Sequence, residues 1–568
     1  MTAVILGLVL LLPFAVQLVH PEGTVLGQRR CDNPSFFYFF NHYTGQGWRD
    51  WQAPFWNPHI MFGVPFLAEG QGAFFHPFSV LYALLPTGVA INWQWALGTM
   101  LTGLGFWGFL RALELSRPAA FCGALSWSFS SAIVGIIYAG HLNRMLGLVS
   151  LPFILMFWER YRRDGRIGNL AGLAAAYALL IFSGFPQFTF IFSLFMLCYV
   201  GGSAVTQCRT VPALRRELSA ISTLGLALLL GTGLAAVQLL PSIDFAVNSF
   251  RSQSTYNFCT SFSFAPENIV TLLCPRFFGT LNVPGVDHYW GRNFFWEMWI
   301  YIGIVPLIAA AGGILSAPRR RATVLLFCAA AFFIVGLGKH TPIFRILFDH
   351  VPGFDIFRAP AKFTLVSLYC LVTLAAFGLD AWCRRFHSPA PPPKPARSRE
   401  RKPKAVSGHS PANWSYRASL ATALGLFVLS VGLYLYYIPG HGSADSNWAG
   451  LVKWRHSQGE NYSRRPAPDD AAFLATTGSR AGAELIRAMV LTLLAAGALL
   501  LAKSRPWRGS PAYAILILFA ADFVSFVRPF AARFDESITR YPDGLLDVVA
   551  DEPYQPVVKV SCVPPLFD

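Results

Sequence analysis

Charged side chains are scarce in this sequence: Asp, Glu, Lys and Arg make up 13% of its 568 residues, against about a quarter in an average soluble domain. Acids are the scarcer sign, 29 against 45 basic residues. No HExxH, CxxC, Walker-type or GxSxG pattern occurs, so nothing points to a zinc protease, a dithiol oxidoreductase, a P-loop nucleotide enzyme or an α/β-hydrolase. The ten cysteines are scattered without metal spacing. Cys259 and Cys274 share one loop and would suit a disulfide in an oxidising compartment, although unpaired thiols are the plainer reading.

Apolar residues fill the space that charge leaves. The chain is 54% hydrophobic and 15% aromatic, with a mean hydropathy of +0.46. A helix crosses the hydrocarbon layer with about 20 apolar residues. Windows near that length fall at 3–19, 91–111, 118–139, 146–159, 168–184, 187–205, 218–240, 297–316, 322–338, 361–382, 417–438, 485–502 and 511–528. The fold class is therefore an all-α polytopic integral membrane protein with about thirteen transmembrane helices.

The basic residues are not spread evenly. Short connections such as "ERYRRDGR" and "PRRR" alternate along the chain and, with the 383–417 stretch, hold more than half of the Lys and Arg but few of the acids. That is a topology signal, which predicts a cytoplasmic N-terminus, an extracytoplasmic C-terminus and long outer segments at 20–90, 241–296, 339–360, 439–484 and 529–568. It offers no basic face interleaved with aromatics, so no nucleic-acid partner is expected. Residues 1–20 lack a basic start and a small-x-small cleavage site and read as an uncleaved first span. Pro-rich, basic 386–416 reads as a disordered cytoplasmic linker suited to anionic lipid. It divides a module at 1–385 from a second at 417–528, followed by a short extracytoplasmic tail at 529–568.

Chemistry collects in three outer segments. In the first, Asp32 stands before "NPSFFYFF" in a loop rich in Trp, Phe, Gly and Pro, where interfacial helices are expected. On the residues alone Asp32 reads first as a helix N-cap and second as a functional carboxylate. In "KHTPIFRILFDHVPGFDIFRAPAKF", Thr341 and Pro342 start a helix, and Pro360 starts another with Arg358 just before it and Lys362 in its first turn. Two cations at a helix N-terminus favour an anion, here a lipid phosphate, although boundary cations also snorkel to ordinary headgroups. The third segment adds Arg251, Arg276, His288, Arg292 and Glu297. His141 in "GHLNRM" and the nearby "SGFPQF" emerge on the same side; a satisfied interfacial His is the plainer reading of His141, and a ligand or base the sharper one.

The stretches "CDNPSFFYFFNHYTGQG", "PFWNPHIMFGVPFLAEGQGAFFHPFSVLY", "HLNRMLGLVSLPFILM", "SGFPQFTF", "VQLLPSIDF" and "VPGFDIFRAPAKFTL" resemble the YfhO-type family of bacterial membrane proteins up to about residue 385. That family is similar to C-type (GT-C) glycosyltransferases, which move a sugar from a polyprenyl-phosphate carrier to an acceptor at the outer leaflet. The resemblance implies a bacterial cytoplasmic-membrane transferase working by inversion, with Asp32 as general base and Arg358 and Lys362 on the donor phosphate, supported by Arg251 or Arg292. Asp50, Trp56, Asn57, His141, His288 and Glu297 are further candidates to line the site. The implied partners are a polyprenyl-phosphate sugar, a cell-envelope glycan, lipid or protein acceptor, and membrane lipid. No cofactor is demanded, and a divalent cation stays open. The rival readings are a lipid or glycan transporter and a non-catalytic scaffold; Asp522 is the clearest ionisable group inside a span.

Overall fold

The computed structural model describes residues 1–20, 23–29, 31–60, 62–207, 210–249, 254–280, 289–387, 411–461, 469–504, 510–528 and 532–539. Each of the thirteen apolar windows overlaps helix, although not every window is helical from end to end. Eight of the described helices are long and apolar enough to cross a membrane: Thr2–Val19, Arg117–Ala139, Leu142–Asp164, Pro186–Thr206, Leu214–Leu234, Pro360–Arg384, Trp414–Tyr437 and Ala471–Leu501. Ile167–Phe182, Ala236–Val247, Ile304–Ser316 and Ala514–Val527 are apolar but shorter. The protein is an all-α, multi-pass membrane protein.

Small residues set the packing. The helices Ile304–Ser316 and Thr364–His387 cross where Gly313 faces the Leu374 carbonyl and Gly378 faces that of Ala309, so closely that a methyl group at either glycine would overlap backbone. Lipid supplies no hydrophobic drive between helices, and such backbone-to-backbone contact is how van der Waals attraction replaces it. The helices Pro411–Tyr437 and Ala471–Ser504 pack on one another and on Ile304–Ser316, joining the two expected modules. Most of the linker between them, 388–410, and the tail from 540 onward lie outside the described residues.

One window is corrected by the structure. The apolar run from 297 was expected to be helical throughout, but the helix begins only at Ile304. Gly303 takes a left-handed φ of +95°, and the buried Asp522 carboxylate accepts the Ile304 N–H at 2.6 Å. A capped start downstream leaves Glu297 on coil.

The long loop after the first span is folded. Strand β1 (Thr24–Leu26) pairs antiparallel with β2 (Arg533–Asp535), from the far end of the chain. A π-helical turn at Asn33–Phe37 then runs into the helix Tyr38–Arg49, which packs against the short helix Leu81–Leu84. The expected start at Thr341 and Pro342 gives the helix Pro342–His350, and Pro360 opens a 3-10 turn that becomes the helix Thr364–His387. Among the described residues eight cysteines are free, Cys259 and Cys274 included.

Candidate active site

Asp32 occupies the position before the Asn33–Phe37 turn, but its side chain makes no capping hydrogen bond. It faces His141 instead, with Nε2 of the imidazole 2.9 Å from Oδ2. His141 arrives there because Gly140 turns the chain at φ +75°, tight against Asn33, between Ser131–Ala139 and Leu142–Asp164. The imidazole side chain is only 7% exposed while that of Asp32 is 59% exposed, so one edge of the carboxylate is held and the other is open.

Three residues after His141, in the first turn of Leu142–Asp164, Arg144 donates to Glu297 Oε1 at 2.7 Å. Lys362 reaches the same oxygen at 3.7 Å. Arg144 and Lys362 both lie over the Phe185 ring, at 5.0 and 5.9 Å from its centroid. Arg358 lies over Phe258 and Phe262, at 5.9 and 5.6 Å. Its backbone is fixed as well: Gln187 Nε2 donates to the Arg358 carbonyl at 2.7 Å, and the Ala359 N–H donates to Ser261 at 2.9 Å. The loop "SGFPQF" thus supplies both an aromatic floor and a backbone tether for the cations.

Electrostatics assign the protonation states. Partial desolvation works to raise the Asp32 carboxyl, but the hydrogen bond from His141 and the nearby Arg144 and Arg358 outweigh it and hold it below the usual carboxylate value. Burial, then Arg144, lowers His141 despite Asp32 and Glu297. The pair at neutral pH is therefore an ionised carboxylate and a neutral imidazole whose Nε2–H donates; Nδ1 is buried without a partner. Burial opposes ionisation of Glu297 too, yet Arg144, Lys362 and His141 bring it down to about 2. Arg144, Arg358 and Lys362 gather around Glu297 and the exposed edge of the Asp32 carboxylate. That arrangement can hold an anion and accept a proton beside it.

Of the residues singled out in the sequence, Asp32, His141, Glu297, Arg358 and Lys362 come together. Arg292 does not join them: its guanidinium is buried against Glu267 at 2.6 Å and lies 3.9 Å from Glu460, a group that Lys339 also contacts. Its expected phosphate role is thereby corrected, because the charge is already matched in an ionic cluster that ties three loops together. Arg251 and His288 lie outside the described residues. Asp50 is exposed at the far end of Tyr38–Arg49, about 18 Å along the helix axis from its start. Trp56 and Asn57 build a small hairpin: Asn57 bridges Val64 through its backbone and accepts from the His59 N–H at 2.9 Å. The Trp56 ring lies flat on Gly63, where φ is +111°. These contacts all lie within the loop itself.

Arg144, Phe185 and Gln187 were not singled out. The i, i+3 spacing of His141 and Arg144 was the available signal for the first; the other two depend on which loops meet. Asp522, the charge inside a span, accepts from Ile304 N–H, Tyr301 hydroxyl and Arg487 Nη1 and is fully buried. Its role is a helix cap and ion pair. Among the described residues no group of three or more His, Cys, Asp or Glu is placed to hold a metal ion.

The fold and site define the class: a multi-pass helical membrane protein carrying a cationic cluster around an exposed carboxylate. No family model matches the chain, and no curated protein does. Among solved structures, the chain is similar to ArnT from Cupriavidus metallidurans bound to undecaprenyl phosphate, at 14% identity and a TM-score of 0.43, covering 96% of this chain and 79% of that one.

Proposed function

We propose that this chain is a GT-C glycosyltransferase of the YfhO type that moves a sugar from a polyprenyl-phosphate donor to an acceptor at the outer face of the bacterial cytoplasmic membrane. The observation that carries the reading is the placement of Asp32: its carboxylate is ionised, unused as a helix cap, open on one edge, and set near Arg144 and Arg358. A helix cap needs none of these features, and a general base beside a phosphate needs all of them.

In this reading Arg358, Lys362 and Arg144 hold the donor phosphate, and the acceptor hydroxyl hydrogen-bonds the open edge of Asp32. The proton passes to Asp32 as the acceptor oxygen attacks the anomeric carbon. The bond from that carbon to the phosphate oxygen breaks, and its electron pair leaves with polyprenyl phosphate. A single displacement inverts the anomeric centre. The cations offset the charge that grows on the departing phosphate, and His141 keeps the carboxylate aimed. The acceptor is a cell-envelope glycan, lipid or protein. Against the transporter reading stands Asp522, whose partners are all structural.

The test is release of polyprenyl phosphate from a panel of polyprenyl-phosphate sugars by the purified full chain in lipid nanodiscs. Turnover of one donor with an acceptor-dependent rate supports the reading. Absence of turnover and of binding for every donor refutes it.

A further inference from the structure

Both carboxylates of the cluster sit on connections between the long helices, and the C-terminal part of the chain grips both. On one side, Glu297 lies seven residues before Ile304, whose N–H is capped by Asp522. Arg487 holds Asp522 at 2.7 Å, and Glu484 pairs with Arg276 across the same contact. On the other side, Asp32 lies six residues after β1, which is paired with β2 in the register Val25 to Phe534. The Gly27 N–H donates to the Ala532 carbonyl at 3.0 Å and the Glu536 N–H to Gly23 at 2.9 Å. Asn33, next to Asp32, donates from Nδ2 to the Leu26 carbonyl at 3.0 Å. A chain of hydrogen bonds therefore runs from β2 through β1 to the residue beside the proposed base.

Glu536 closes this arrangement. Its Oε1 accepts from the Tyr38 hydroxyl at 2.7 Å and from the Gly88 N–H at 3.2 Å. Tyr38 begins the helix that continues from the Asp32 turn, and Gly88 lies in the first turn of Thr87–Ala112. One carboxylate thus ties the segment after Asp32 to a rigid long helix, while its own backbone ties the segment before Asp32. A negative group suits that helix N-terminus. Phe534, packed between the strands and the bundle at 3% exposure, anchors the segment apolarly.

We infer that residues 532–536 are part of the active-site architecture, with Glu536 a positioning residue that sets where the Asp32 carboxylate stands relative to the cations. The inference rests on the proposed role of Asp32. Misplacement of a reacting group by about 1 Å costs on the order of a hundredfold in rate. Loosening this strap therefore lowers kcat while leaving the donor's phosphate contacts, all on other segments, in place.

Two measurements on the full chain in nanodiscs test it. The first is alkylation of Cys31 by a maleimide, read by peptide mass spectrometry, with no substrate present. Cys31 is buried beside Asp32, and burial pushes its thiol up to about 12, so it is protected in the native protein. Glu536→Ala is expected to raise its alkylation rate about tenfold or more, Tyr38→Phe to raise it less, and Glu536→Gln, which keeps an acceptor oxygen, to stay near wild type. The second is the kcat against KM split for the donor: Glu536→Ala is expected to lower kcat about tenfold or more with KM within about twofold, and Glu536→Gln to restore most of it. Unchanged Cys31 protection in Glu536→Ala overturns the inference whatever the turnover. An equal loss in Glu536→Ala and Glu536→Gln overturns it as well. Cys31 exposure in Glu536→Ala together with no turnover in wild type keeps the strap and refutes the transferase reading instead.

Discussion

Nε2 of His141 stands 2.9 Å from Oδ2 of Asp32 across 109 positions of sequence, and it holds one edge of a carboxylate whose other edge is open. The contact distinguishes this carboxylate from a capping one. A capping Asp turns its oxygens back to the N–H groups of its own helix, whereas this one turns them away.

His141 sets the pH response of the pair. Both groups have folded pKa values below their ordinary ones of 3.8 and 6.5. Each therefore contributes stability that is present above its unfolded value and is lost as pH falls through the folded value. The thermal midpoint of wild type is expected to decline as pH drops below 6.5, and His141→Gln to decline less. In the same variant Asp32 loses its partner and rises, so the acidic limb of the kcat/KM profile moves to higher pH. A limb that stays in place shows that His141 does not act on Asp32.

Arg144 and Lys362 share the Glu297 oxygen in a buried setting. Removing one partner of a buried charge pair costs about 3–5 kcal/mol. Arg144→Ala is expected to lower the thermal midpoint strongly and to weaken donor binding. Arg144→Ala with Glu297→Gln recovers part of the stability but none of the donor affinity. Calorimetry alongside titration of polyprenyl phosphate separates the two effects.

Arg358 is exposed and lies over two rings. Hydrogen bonds to charged groups contribute about 1.5–3 kcal/mol, so Arg358→Ala is expected to weaken polyprenyl-phosphate binding by about ten- to a hundredfold. The thermal midpoint stays within a degree or two of wild type, about the response to a surface substitution. Arg358→Lys restores charge but not the planar contact with Phe258 and Phe262, and recovers binding only in part.

Asp522 gives a stability test without ligand. Asp522→Asn leaves Arg487 buried against a neutral partner and weakens the cap on Ile304. A loss of about 3 kcal/mol or more is expected, and Asp522→Asn with Arg487→Met regains part of it. A proton- or ion-coupled carrier would instead show altered uptake with little change in stability.

The membrane class was legible from apolar windows because hydrocarbon leaves a spanning segment few alternatives to helix. The start at Pro342 and the placement of Arg358 and Lys362 around Pro360 were legible because proline and the residue before it restrict the backbone locally. Glu297 was misread as helical because hydropathy does not register a cap delivered by Asp522 from 218 positions away. Arg292 looked free in the sequence, and its partners Glu267 and Glu460 come from loops that meet only in the fold. The pairing of residues 24–26 with 533–535 left no trace in either segment, since three-residue strands carry almost no periodicity.

The most direct test of the account is Asp32→Asn in nanodiscs, with donor binding and single-turnover sugar transfer measured on the same preparation. A general base supplies about a hundred- to ten-thousandfold. A loss of that size is predicted in the transfer step, with donor binding retained and the thermal midpoint lowered only by the share of stability that the Asp32–His141 contact contributes. Transfer at the wild-type rate by Asp32→Asn would contradict it and return Asp32 to the structure of its loop.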